Sequence, residues 1–177
     1  MYFQNLSKNK KLAVYALTSA IVCVATMIIR IPTFATSGYI NFGDTFIFVF
    51  AIIFNPLCGL ICGGIGSALA DVFSGYVYWA PYTLIIKAVE GFVCGLIVSK
   101  LYKKDVSEKI KMLFSLIAVI ISGLIMVIGY MFAGALIKGS FATGLASVPE
   151  NLIQAGVSIV IALLLLYSLK ISNKLEK

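Results

Sequence analysis

Histidine is missing from this 177-residue chain, and charge of either sign is scarce, with Asp, Glu, Lys and Arg together only 12% of residues. Soluble domains carry roughly 25%. An enzyme built here would have to work without imidazole, without a GxSxG elbow and without a metal cluster. The one route left to it is an aspartyl pair, which needs Asp44 and Asp71 in one water-filled site. The Walker A glycine-lysine loop is also missing, so any coupling to ATP must come from other subunits. No basic patch interleaves with exposed aromatics, which argues against nucleic acid as a partner despite a net charge of +7.

What fills the chain is apolar residues, 61% of the total. They come in runs that are apolar on all sides, as a lipid environment requires. Residues 12–29, 45–70, 112–137 and 151–169 are uncharged runs, and 82–98 is apolar apart from Lys87 and Glu90. The second run is broken by Asn55-Pro56. Proline removes a backbone donor and disfavours a helical residue before it, so the break marks either a kink, giving five spans, or a hairpin, giving six.

Lysine placement decides between them. Six spans gather Lys8, Lys10, Lys11, Lys100, Lys103, Lys104, Lys109, Lys111, Lys170, Lys174 and Lys177 on one side, with Arg30 and Lys138 at the opposite helix ends. The positive-inside rule then makes both termini cytoplasmic. Five spans would split the lysines across the membrane. The amino end imitates a signal peptide, but its apolar run is too long and further spans follow, so it is a retained first helix. The expectation is an all-α integral membrane bundle of six transmembrane helices in one domain, residues 1–177, with helices near 11–30, 44–55, 57–73, 82–101, 111–137 and 149–170. The second helix is short. At about 1.5 Å per residue it covers only about 18 Å, so neighbours must shield it or the bilayer must thin.

Small residues recur at helical spacing: Ala16 and Ala20 on the first helix, Gly59 and Gly63 on the third, Gly91 and Gly95 on the fourth. Such pairs let helix backbones approach where lipid competes equally for apolar contact. Cys58 and Cys62 stand four apart, but without histidine or a nearby carboxylate they are packing residues rather than ligands, and no cofactor or metal is expected.

Ionisable groups inside spans are functional candidates by default. Lys87 and Glu90 lie one turn apart, and Asp71 ends the third helix. Together they could hold two helices or form the relay of a stand-alone proton-coupled carrier. Asp44 and Glu150 open helices and suit the capping of their N-termini. Asn151 and Gln154 share roughly one face and suit ligand hydrogen bonds. Tyr39, Tyr76, Tyr78, Trp79, Tyr82 and Tyr130 map near the outer end, and four of them crowd residues 76–82, in the loop facing Tyr39 and Asn41. A belt at the interface accounts for part of this, but flat walls with a few polar groups also suit a small heteroaromatic ligand.

The pattern Tyr39-x-Asn41-x-Gly43-Asp44, then Asn55-Pro56-x-x-Gly59, Gly63-Gly64-x-Gly66-Ser67-Ala68-Leu69-Ala70-Asp71, Ser74-Gly75-Tyr76, Ala80-Pro81 and Ile86-Lys87-x-x-Glu90-Gly91 resembles the substrate-binding S components of energy-coupling factor (ECF) vitamin transporters. Within these it is most similar to the riboflavin-type group, which also holds proteins assigned to pyridoxine and hydroxymethylpyrimidine. Specific motifs cover the first 100 residues; beyond them only size and helix count agree. The usual Gly-Pro of the hairpin break is Asn55-Pro56 here. The resemblance implies an ABC-importer subunit of the bacterial plasma membrane that binds a vitamin or precursor from outside. It also implies docking to a transmembrane coupling subunit driven by two cytoplasmic ATPases. Ala16 and Ala20 match the spacing by which such proteins meet the coupling subunit. The substrate-binding residues expected are Tyr39, Asn41, Tyr76, Tyr78, Trp79, Tyr82, Lys87, Glu90, Asn151 and Gln154.

Overall fold

A computed structural model describes residues 5–32, 38–101 and 106–175, with side chains as far as residue 169. Among the lysines used to predict orientation, Lys103, Lys104 and Lys177 lie outside the described residues, as do the side chains of Lys170 and Lys174. The helices are α1 Lys8–Ile28, α2 Gly43–Ile53, α3 Pro56–Phe73, α4 Ala80–Leu101, α5 Glu108–Lys138, the short α6 Phe141–Ala146 and α7 Val148–Leu175. Four apolar stretches are long enough to cross a membrane: α1, α3, α5 and the run Phe141–Leu169. α2 is apolar but shorter, and α4 carries Lys87 and Glu90 in its middle. The molecule is a multi-pass membrane protein.

The break in the second run is a hairpin. α2 ends at Ile53 and α3 begins at Pro56. Asn55 caps α3, its Oδ1 accepting from the Cys58 N–H at 2.8 Å. Pro56 takes the first helical position, where its missing N–H costs nothing. α3 is not uniform, because residues Cys62–Gly66 form a π-helical turn. Such turns insert an extra residue and re-aim the side chains that follow. At the other end Gly75 takes φ +84, a left-handed conformation that closes the helix, and Tyr76 N–H returns to the Asp71 carbonyl at 2.8 Å.

The short α2 is shielded, as its length demands. Asp44, Thr45, Ile47, Phe48, Val49 and Ala51 are all buried. Phe48, Val49 and Ala51 meet Cys94 and Val98 of α4, Ala118 and Val119 of α5 and Ala162 of α7 in one apolar cluster. A second cluster gathers Trp79, Ile86, Met126, Val127, Ala133 and Ala155. Large apolar side chains such as Leu12, Ile28 and Leu136 point outward, toward lipid. Lipid tails are as apolar as leucine, so close packing rather than water release must hold the helices together. α3 and α4 touch backbone to backbone: a Cβ on Gly59 would strike the Gly91 carbonyl, and one on Gly91 would strike that of Gly59. The four cysteines are buried free thiols. Ala16 and Ala20 are exposed on α1, whose buried face is Thr18, Ser19, Val22, Cys23 and Thr26.

Two features depart from the helical expectation. A two-stranded antiparallel ribbon stands between α1 and α2, β1 Arg30–Pro32 against β2 Tyr39–Asn41, with Arg30 opposite Asn41 and Pro32 opposite Tyr39. The short α6 separates α5 from α7. Three-residue strands and a six-residue helix are too short to leave a periodic signature.

Candidate functional site

The start of α2 carries the densest polar network in the described residues. Asn41 Oδ1 accepts from the Gly43 N–H at 2.9 Å and so serves the new helix locally. That frees Asp44 from capping. Its side chain makes no cap bond and is fully buried. The Lys87 ammonium donates to Asp44 Oδ1, and Gln154 Nε2 donates to Asp44 Oδ2 at 2.8 Å. Glu90 Oε2 lies 3.0 Å from the same ammonium as an ion pair, though without hydrogen-bond alignment. Lys87, Asp44 and Glu90 are each no more than 1% exposed. Burying such charges is tolerable only when they are paired. Lys87 therefore pairs with Asp44 and Glu90, not with Asp71, which corrects the helix-cap role expected of Asp44.

Gln154 links this cluster to the ribbon. Its Oε1 accepts from the Asn41 backbone N–H at 2.9 Å while its amide nitrogen holds Asp44. Two residues earlier on the same strand, the Tyr39 hydroxyl donates to Asp71 Oδ1 at 2.6 Å. The Tyr39 ring packs on Tyr76 with centroids 4.8 Å apart. Burial, with the Asp71 carboxylate beside it, holds the Tyr39 hydroxyl well above its ordinary pKa, so it remains a donor.

Behind β2 lies a cavity of about 40 Å³, on the scale of a few waters. Every helix except α2 and α6 reaches it: Thr26 from α1, Ser67 and Asp71 from α3, Thr83 and Lys87 from α4, Tyr130 from α5, and Glu150, Asn151 and Gln154 from α7. Trp79 and Ser147 complete the wall, and Gly38 to Asn41 cover it. The Tyr130 ring stands over the Lys87 ammonium, 5.5 Å away, and its hydroxyl donates to Thr83 Oγ1 at 3.1 Å. Among the described residues, four buried polar atoms on this wall have no hydrogen-bond partner: Thr26 Oγ1, Ser67 Oγ, Asp71 Oδ2 and Trp79 Nε1. Buried polar groups are normally satisfied, so four orphans on residues that line one cavity mark a place built for something polar.

Of the residues expected from sequence, Tyr39, Asn41, Trp79, Lys87, Asn151 and Gln154 line the cavity. Tyr76 stands behind Tyr39, and Glu90 behind Lys87. Tyr78 and Tyr82 do not reach it. Tyr78 is exposed, and Tyr82 packs on the apolar cluster of Trp79 and Ile86, because the turn into α4 sends these neighbours in different directions. Thr26, Ser67, Thr83 and Ser147 were missed, though hydroxyls in otherwise apolar spans were the available signal. Asp71 and Tyr130 were noted but not assigned to the wall. Cys58 and Cys62 belong to no metal-binding group among the described residues.

Comparison with known proteins adds an independent line. The family model of the ECF-type riboflavin transporter S component matches residues 6–171. An uncharacterized protein of Pyrococcus woesei is 38% identical over 149 residues, covering 84% of this chain and 94% of that protein. The thiamine precursor transporter HmpT of Lactococcus lactis subsp. cremoris (strain MG1363) is 27% identical over 158 residues, covering 88% and 86%. Among solved structures, the S component of a bacterial ECF transporter superposes with a TM-score of 0.69 at 24% identity, over 97% of this chain and 100% of that one. This last likeness is one of fold.

Proposed function

This chain belongs to the family of ECF-type riboflavin transporter S components, and from that premise we propose that it captures a small water-soluble vitamin or precursor outside the membrane. The ligand class is hydroxymethylpyrimidine, pyridoxine or riboflavin. Transport inward runs through an ECF coupling subunit powered by two ATPases. The observation that carries the ligand-binding reading is the set of four unpartnered polar atoms around the covered cavity. A heteroaromatic ring offers donors and acceptors in its plane and apolar faces for Trp79 and Tyr130. The resemblance to a thiamine precursor transporter favours a precursor among the candidates.

The cavity is too small to receive such a ring without movement of its cover. β2 is the movable part, tied down by two contacts, Tyr39 to Asp71 and Asn41 to Gln154. In this mechanism the ribbon opens, the ring enters, and the same contacts re-form above it. The exposed Ala16 and Ala20 face away from the bundle and suit close approach by a partner helix.

The proton-carrier alternative is less well supported. Asp71 serves Tyr39, whereas Lys87 and Glu90 pair with each other and Asp44, so the three expected relay groups do not form one connected chain. Mass spectrometry of the small molecule retained by protein purified from cells tests the vitamin reading. A ring-containing vitamin or precursor supports it, and protein that carries none and takes none from a broad panel in a thermal-shift screen overturns it.

A further inference from the structure

The cavity holds more than orphaned hydrogen-bond groups; its formal charge is one-sided. Among the described residues, the carboxylates and ammonium on its wall are Asp71, Glu150 and Lys87. Directly behind Lys87 stand Asp44 and Glu90. One cation therefore faces four carboxylates, and the balance stays negative unless three of the four are protonated.

Nor is that one cation available. The Lys87 ammonium has three donor directions. One goes to Asp44, one lies against Glu90, and Tyr130 presents its ring at 5.5 Å on another side. The remaining cations at this end of the bundle are no substitute. Arg30 is exposed on β1 and Lys138 is exposed at the end of α5, and neither lines the cavity. Against this stands a buried acceptor on the cavity wall. Asp71 is 4% exposed and its Oδ2 has no hydrogen-bond partner, while Oδ1 is occupied by Tyr39. Trp79 Nε1, a donor only, is likewise buried and unpartnered.

We propose that this site selects by charge: it takes an uncharged or cationic ring bearing an amino or hydroxyl donor for Asp71 and an acceptor for Trp79, and rejects the phosphate ester of the same compound. The proposal rests on the vitamin-binding reading above and narrows it. A phosphate would bring about −1.5 to −2 charges into a wall whose only ammonium among the described residues is already paired. Placing like charge against like charge without a partner is a recognised means of rejecting the wrong ligand.

The experiment is isothermal titration of the full-length chain in lipid nanodiscs, without ATP. The probes are three pairs: hydroxymethylpyrimidine and its phosphate monoester, pyridoxine and its 5′-phosphate, and riboflavin and its 5′-phosphate. In the pair that binds, the free alcohol is expected to bind at least about 30-fold more tightly than the ester. Asp71→Asn, which keeps an oxygen for Tyr39, should narrow that ratio by at least about threefold, and Glu150→Gln, at the half-buried rim, should narrow it less. An ester that binds as tightly as its alcohol overturns the proposal while leaving vitamin binding intact. A ratio unmoved by both substitutions also overturns it, since charge would then not set the preference. Failure of all six compounds to bind removes the vitamin reading itself, and the proposal with it.

Discussion

The Tyr39 hydroxyl, on the strand that covers the cavity, donates a 2.6 Å hydrogen bond to the Asp71 carboxylate at the end of α3. The bond ties a strand between α1 and α2 to a helix end more than thirty residues on, and its neighbour Tyr76 is set in place by the left-handed turn at Gly75. If this contact holds the cover shut, Tyr39→Phe loses the bond and keeps the ring. Hydrogen bonds to charged groups contribute about 1.5–3 kcal/mol, so ligand should bind roughly 10- to 100-fold more weakly, mostly through faster release. Stopped-flow quenching of Trp79 fluorescence would separate the two rates. An unchanged release rate would mean that the cover is held by something else.

The buried ion cluster makes a prediction about stability. Lys87→Met leaves Asp44 and Glu90 buried without their cation. Breaking one partner of a buried pair costs about 3–5 kcal/mol, and the apparent midpoint of thermal unfolding should fall by about 6 °C or more. Adding Glu90→Gln to Lys87→Met should cause less than the sum of the two single losses, because the groups are in contact. Thermal scans of the three variants in one detergent measure this. Additive losses would show that the pair is not energetically coupled.

Gly91 and Gly156 should respond oppositely to the same change. A Cβ at Gly91 would strike the Gly59 carbonyl, whereas one at Gly156 meets nothing within 4 Å. Gly91→Ala is expected to destabilise by about 1–3 kcal/mol as α3 and α4 spread. Gly156→Ala should be neutral or stabilising, up to about 1 kcal/mol from helix propensity. Equal effects at the two sites in thermal unfolding would contradict backbone contact between α3 and α4.

The outward face of α1 bears on partner docking. Ala16→Leu and Ala20→Leu place larger side chains on an exposed surface. Stability and ligand affinity of the isolated chain should stay within about twofold, while ATP-dependent uptake by the complete transporter should drop sharply. Full uptake by the double variant would exclude this face as the docking surface.

Much of this was legible in the chain, for physical reasons that differ by residue. Asn55-Pro56 marked a break because proline acts locally, and the lysine bias made that break a hairpin. Gly59 and Gly91 announced a close helix pair because only small residues allow it in lipid. Lys87 was recognisable as significant, but its partner Asp44 lies 43 residues away, and no local rule selects it over Asp71. Asp44 resembled a helix cap because its position in the first turn suits one, and only the fold reveals that Asn41 serves the helix instead. Thr26, Ser67 and Thr83 were inconspicuous because hydroxyl side chains in spans commonly return their hydrogen bond to the helix backbone. The π-helical turn at Cys62–Gly66, which precedes Ser67, left no mark that distinguishes it from ordinary glycine-rich helix.

The most direct test of vitamin capture is equilibrium binding by the purified chain alone, with no ATP and no partner subunit. The mechanism predicts saturable binding of hydroxymethylpyrimidine, pyridoxine or riboflavin, one molecule per chain, weakened at least about 10-fold when Gln154→Ala removes the link between Asn41 and Asp44. Absence of binding in the presence of correctly folded protein would contradict it, as would uptake into proteoliposomes by the chain alone that a protonophore abolishes.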